Sequence, residues 1–77
     1  MKEIKIRLKN TDDIKDFNHA VTKINGDIDL VSGRYVVDAK SIMGIFSLDI
    51  SKPLTCRINA VNMNEESAAE ILKAWTV

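Results

Sequence analysis

The stretch DAKSIMGIFSL, residues 38–48, lies near the middle of the chain and contains the start of a short helix. Ser41 is a favoured N-cap residue, because its hydroxyl can accept a hydrogen bond from a free backbone N–H of the first turn. The apolar residues after it predict a short helix over residues 42–46, which Gly44 weakens. The stretch therefore indicates a short helix with a dense apolar surface.

Strand patterns lie on both sides of this helix. Upstream, residues 27–31 and 35–37 are rich in apolar and β-branched types, and turn residues at 32–34 separate them. Downstream, residues 51–53 (Ser-Lys-Pro) interrupt the chain before an alternating apolar pattern over residues 54–58. These patterns predict two strands before the short helix and one after it.

The two ends of the chain add a strand and two helices. Residues 3–8 alternate between charged and apolar types, which predicts a strand with one buried face. Asn10 is a suitable N-cap for a first helix that ends at Asn25-Gly26. Asn64 caps a last helix whose apolar stripe consists of Ala68, Ile71, Leu72 and Trp75. The order βαββαβα predicts one domain, residues 1–77, in which helices cover one face of a single sheet.

Composition limits the classes of function. Eleven basic and eleven acidic residues cancel, which argues against nucleic-acid binding and against a polybasic membrane anchor. No apolar run approaches the ~18 residues of a membrane span, and the charged start does not resemble a signal peptide. The single cysteine excludes an internal disulfide and a cysteine metal cluster. We expect a cytoplasmic protein that acts through its surface, with no metal and no cofactor.

In its position between the third and fourth strands, segment 38–48 resembles the regulatory-serine segment of the HPr family from Gram-positive bacteria. In that family, Lys-Ser-Ile-Met-Gly opens the short second helix, and the element order matches over the whole chain. The resemblance implies an α+β open-faced two-layer sandwich, with a four-stranded antiparallel sheet and three helices on one face. Ferredoxin-like domains have nearly the same order, so topology alone does not define the function.

The resemblance also shows a departure at the family's active site. Counting back from Ser41 without gaps puts Asn10 where HPr has its phosphorylated histidine, and Asp12 where HPr has an arginine. A carboxamide is neither a nucleophile nor a proton acceptor near neutral pH. Asp12 and Asp13 add negative charge where a helix N-terminus would otherwise attract an anion. We therefore predict no catalytic residue and no phosphohistidine relay.

His19 is the one histidine of the chain, so it is the alternative phosphate acceptor. On a helical wheel it lies opposite Ile14, Phe17 and Val21, among charged residues, which predicts a solvated side chain in mid-helix. Phosphate transfer through His19 is kept as a second hypothesis.

Ser41 and the apolar residues after it are the remaining site candidates. The resemblance implies phosphorylation of Ser41 by an ATP-dependent HPr kinase, although a capping role alone also explains the residue. It further implies that the surface of the short helix contacts phosphotransferase-system enzymes or a transcriptional regulator, through Ile42, Met43, Phe46 and Leu48. Of these, we expect Met43 and Ile42 to be partly exposed.

Four other residues have simple structural interpretations. Cys56 alternates with apolar residues, which predicts a buried thiol, and Lys40 is interpreted as a solvated charge. Phe17 and Trp75 lie in helical stripes and are predicted to be core residues.

The sequence thus favours a non-catalytic HPr-like regulatory or binding protein. The alternatives are a phosphocarrier that uses His19 and a small interaction domain with no link to sugar transport.

Overall fold

The structure is a computed structural model that describes residues 1–77. Its elements are β1 (Lys2–Ile6), α1 (Thr11–Val21), β2 (Gly26–Ser32), β3 (Tyr35–Asp38), α2 (Ile42–Phe46), β4 (Leu54–Ala60) and α3 (Glu65–Ile71), with a 3-10 turn at Lys73–Trp75. The predicted order βαββαβα is confirmed.

The four strands form one antiparallel sheet in the order β1-β4-β2-β3. In the central strand β4, the side chains of Leu54, Cys56 and Ile58 are buried under the helices. The alternate residues, such as Arg57, face the other side of the sheet, which no helix covers. This is the predicted open-faced arrangement, with its three helices on one face.

The core consists of sixteen buried residues, all of them hydrophobic. Phe17 of α1 is completely buried, and its ring packs edge-on against Trp75, with 5.5 Å between centroids and an angle of 88°. The prediction that both aromatic residues serve the core is confirmed for Phe17, while Trp75 lies half-buried at the margin of the core. None of the helices is both long enough and apolar enough to span a membrane.

Two helices are shorter than the apolar periodicity predicts. α1 ends at Val21, and the Thr22 hydroxyl donates a hydrogen bond to the carbonyl of His19 (2.6 Å), which closes the last turn. Ile24 remains completely buried, so the apolar pattern continues beyond the helix itself. α3 ends at Ile71, whose side chain is exposed rather than part of the predicted stripe, because the chain tightens there into the 3-10 turn.

Candidate functional site

The N-terminus of α1 is closed by a reciprocal cap. Asn10 is in an extended conformation, and its Oδ1 accepts a hydrogen bond from the backbone N–H of Asp13 (2.9 Å). The Asp13 carboxylate in turn accepts one from the backbone N–H of Lys9 (2.9 Å). Such a cap satisfies donors that an anion would otherwise bind. Asn10 is therefore the N-cap that the sequence predicts, and it occupies one amide of the first turn.

A shallow depression of about 450 Å³ lies beside this cap. Two cationic residues, Arg7 and Lys9, and two acidic residues, Asp13 and Asp16, line the depression. Trp75 and the C-terminal residues form the remaining wall. The alternation of residues 3–8 predicts that Arg7 faces away from the core, but it does not predict that Arg7 lies beside the N-terminus of α1. The opposite charges balance, so the depression has no excess positive charge for a phosphoryl group.

The side chain of His19 is exposed, as predicted, but the residue lies in the last turn of α1 rather than in mid-helix, because the helix ends at Val21. It is nine residues from Asn10, which corresponds to about 14 Å along the helix axis at 1.5 Å per residue. A phosphate on His19 would therefore lie at the opposite end of α1 from Asn10.

Ser41 is the N-cap of α2, as predicted, and the residue is exposed. The Ser41 Oγ accepts a hydrogen bond from the backbone N–H of Gly44 (3.3 Å). This bond fixes the start of a five-residue helix and leaves the serine accessible from solvent.

Three hydrogen bonds order the loop before Ser41, and two of them attach it to other elements. Lys40 Nζ donates a hydrogen bond to the carbonyl of Gly26 (2.9 Å), and Asn18 Nδ2 donates one to the carbonyl of Ala39 (3.0 Å). The Asp38 carboxylate also accepts one from the backbone N–H of Lys40 (2.9 Å). The prediction of a solvated charge at Lys40 is therefore wrong: the ammonium group, on a half-buried residue, ties the loop to the start of β2. Ser41 consequently lies on an anchored segment.

The four apolar residues after Ser41 divide into two groups. Met43 is 74% exposed and Phe46 is 41% exposed, whereas Ile42 and Leu48 are half-buried against the core. The prediction of partial exposure is confirmed for Met43. It is confirmed for Ile42 as well, which is half-buried, and Phe46 protrudes further than Ile42, since Ile45 and Ile42 supply the contacts of α2 with the core. We call Met43 and Phe46, with Ile42 and Leu48 at their base, the α2 surface.

Cys56 is completely buried, as predicted. Burial raises the pKa of its thiol to about 12, and the negative charge of Asp29 adds a smaller contribution in the same direction. Because the thiolate is the reactive form, this cysteine is chemically inert in the folded protein. No group of three or more His, Cys, Asp or Glu side chains is placed to hold a metal ion.

These features define a class: a small open-faced α+β domain with a serine-capped second helix and a self-capped first helix. The PTS-HPr family model, described as PTS HPr component phosphorylation site, matches residues 3–76, and the chain therefore belongs to the HPr family. The crystal structure of HPr-C-His from Thermoanaerobacter tengcongensis is similar, with a TM-score of 0.76 and 31% identity over 96% of this chain and 89% of that chain. The comparison with curated proteins found no match. At a coarse level the chain is thus a phosphocarrier-like protein of the phosphotransferase type.

Proposed function

We propose that this protein is an HPr-family regulatory or binding module that has no phosphohistidine relay and is not an enzyme. The observation that carries the proposal is the reciprocal cap between Asn10 and Asp13 at the helix end where the family relays phosphate. The ungapped register from Ser41 supports Asn10 as the counterpart of the family histidine. A carboxamide cannot form a phosphoramidate by accepting the phosphoryl group.

Electrostatics support the same conclusion. A phosphoryl group near Asn10 would approach the carboxylates of Asp12 and Asp13, and Asp16 lines the adjacent depression. Arg7 and Lys9 balance part of this charge, but neither lies in the first turn of α1. Because the three carboxylates outnumber the two cations and one first-turn amide is occupied, the helix end offers little net attraction for an anion.

Ser41 is the proposed point of control. Its hydroxyl is accessible and lies at the N-terminus of α2, where a phosphate is electrostatically favourable because backbone N–H groups point toward it. The hydrogen bonds of Lys40 and Asn18 hold this segment in place for a kinase. We therefore expect an ATP-dependent HPr kinase to be one protein partner.

The α2 surface is the proposed contact for other partners in the cytoplasm. Exposed methionine and aromatic side chains are typical of protein-binding surfaces, because they bury a large apolar area on contact. Met43 and Phe46 lie one helical turn apart and directly follow Ser41. A phosphate on Ser41 would therefore add charge beside this surface and alter partner choice. Phosphotransferase-system enzymes and a transcriptional regulator of carbon use are the partner classes that we propose.

The test is a calorimetric titration of the protein with the general first enzyme of a phosphotransferase system, with HPr kinase and with a carbon-control regulator. We expect Met43→Asp to weaken binding to at least one of these proteins by at least about tenfold, because a charge replaces an apolar side chain that the partner would cover. Val61→Asp is the matched control, since Val61 is 52% exposed and lies outside α2. Equal affinities for Met43→Asp and the wild type toward all three partners would reject the α2 surface as the binding site.

A further inference from the structure

The two edges of the sheet differ in how they are protected. At the β1 edge, the backbone N–H of Arg7 donates to the carbonyl of Trp75 (2.9 Å), and the N–H of Val77 donates to the carbonyl of Lys5 (3.0 Å). Strand β3 pairs with β2 alone and contains no lysine or proline, and residues of the segment 47–52 lie beside Tyr35 and the turn before the strand. Natural sheets generally protect free edges with such features. The β3 edge is therefore the one available for strand pairing.

The backbone of β3 is oriented for pairing. Ala39 donates its N–H to the carbonyl of Ile28 in β2, so the odd-numbered residues of this segment point their backbone groups toward β2. The backbone N–H and C=O of Val36 and the backbone N–H of Asp38 therefore point outward along the free edge. Val36 itself is 55% exposed. An added strand would thus meet unused hydrogen-bonding groups and an apolar side chain.

The charges along this edge indicate which strand fits. Asp38 lies directly opposite Asp29 across the β2–β3 pair, and neither carboxylate takes part in an ion pair. Like charges at such positions are destabilising, so a cation from outside would relieve the repulsion. Arg34, in the turn before β3, is exposed and also forms no ion pair. One edge thus carries an unpaired cation and an unpaired anion, each two residues from Val36.

We propose that a second copy of this chain pairs with β3 in antiparallel fashion, around a two-fold axis at Val36. In this register Val36 of one copy lies opposite Val36 of the other. Arg34 of each copy lies opposite Asp38 of the other copy, so this contact occurs once on each side of the axis. The interface is isologous and joins the two sheets into one continuous sheet. The proposal does not depend on the function proposed above, since it uses neither Ser41 nor the α2 surface.

The interface contains only four strand residues and one turn residue, so association is weak. Sedimentation equilibrium at protein concentrations up to about 1 mM measures the dissociation constant of the dimer. We expect Val36→Lys to abolish the dimer, because two ammonium groups would meet at the axis, and Val61→Lys, outside the interface, to preserve it. A dimer that persists in Val36→Lys, or a wild type that is monomeric at every concentration, would overturn the proposal.

A charge exchange tests the register itself. Arg34→Asp places two aspartates opposite each other at both contacts, and Asp38→Arg places two arginines there, so each variant alone is expected to be monomeric. An equimolar mixture restores opposite charges at both contacts, and we expect it to form a one-to-one heterodimer. Amide NMR spectra of each variant check that the fold is retained. A mixture that stays monomeric while the wild type dimerises would contradict the proposed register.

Discussion

Cys56 shows how the position of one residue determines its chemistry. The thiol lies in the central strand of the sheet, completely buried, and its pKa is about 12 in place of the ordinary 9.0. In the unfolded chain the thiol loses its proton above pH 9.0, while the folded protein retains it. The unfolded state therefore binds fewer protons, and the free energy of unfolding falls as pH rises through this range.

We predict that the Cys56 contribution to the free energy of unfolding decreases by about 1.4 kcal/mol per pH unit above the ordinary thiol pKa, until the folded thiol titrates. Urea unfolding of the wild type and of Cys56→Ala at about pH 8 and about pH 11 measures this difference. The alanine variant removes the thiol and keeps the other titrating groups. Parallel pH dependence in the two proteins would show that the thiol does not contribute.

At the scale of an element, α1 depends on its cap. The side chain of Asn10 satisfies the backbone N–H of Asp13, and the carboxylate of Asp13 satisfies the N–H of Lys9. We predict that Asn10→Ala lowers the free energy of unfolding by about 0.5–2 kcal/mol, because alanine cannot accept the first of these bonds. Asn10→Ser, which retains a capping oxygen, is expected to remain close to the wild type. Urea unfolding compares the three proteins, and an unchanged alanine variant would contradict the capping role.

The elements themselves could be predicted from sequence because their signals are local. Alternation in residues 3–8, the caps Asn10 and Ser41 and the break at residues 51–53 correspond to elements of the structure. The end of α1 could not be predicted, because the apolar pattern continues to Ile24, which is buried without being helical.

Contacts between elements account for the remaining differences at the candidate site. The bond from Lys40 to the Gly26 carbonyl joins residues fourteen positions apart, and nothing in the local sequence predicts it. Similarly, Ile42 and Phe46 are both apolar, and only the packing of α2 determines that Phe46 protrudes. Arg7 reaches the depression beside Asn10 only because the last turn of the chain lies next to β1.

At the scale of the whole molecule, the chain has the HPr fold, and Asn10 and Asp13 cap the N-terminus of α1. The PTS-HPr family model matches residues 3–76, and the sheet with its three helices is similar to the HPr crystal structure. The α2 surface exposes Met43 and Phe46, and His19 lies at the far end of α1 from Asn10. We propose that the protein contacts partners of a phosphate relay without taking part in the relay.

The most direct measurement is incubation with phosphoenolpyruvate and the general first enzyme of a phosphotransferase system, followed by intact-mass analysis before and after mild acid. An HPr that has the active-site histidine serves as positive control, and His19→Ala is the matched variant of this chain. We predict that the wild type and His19→Ala both remain unphosphorylated while the control is labelled. An acid-labile phosphate on the wild type that is lost in His19→Ala would contradict the absence of a relay.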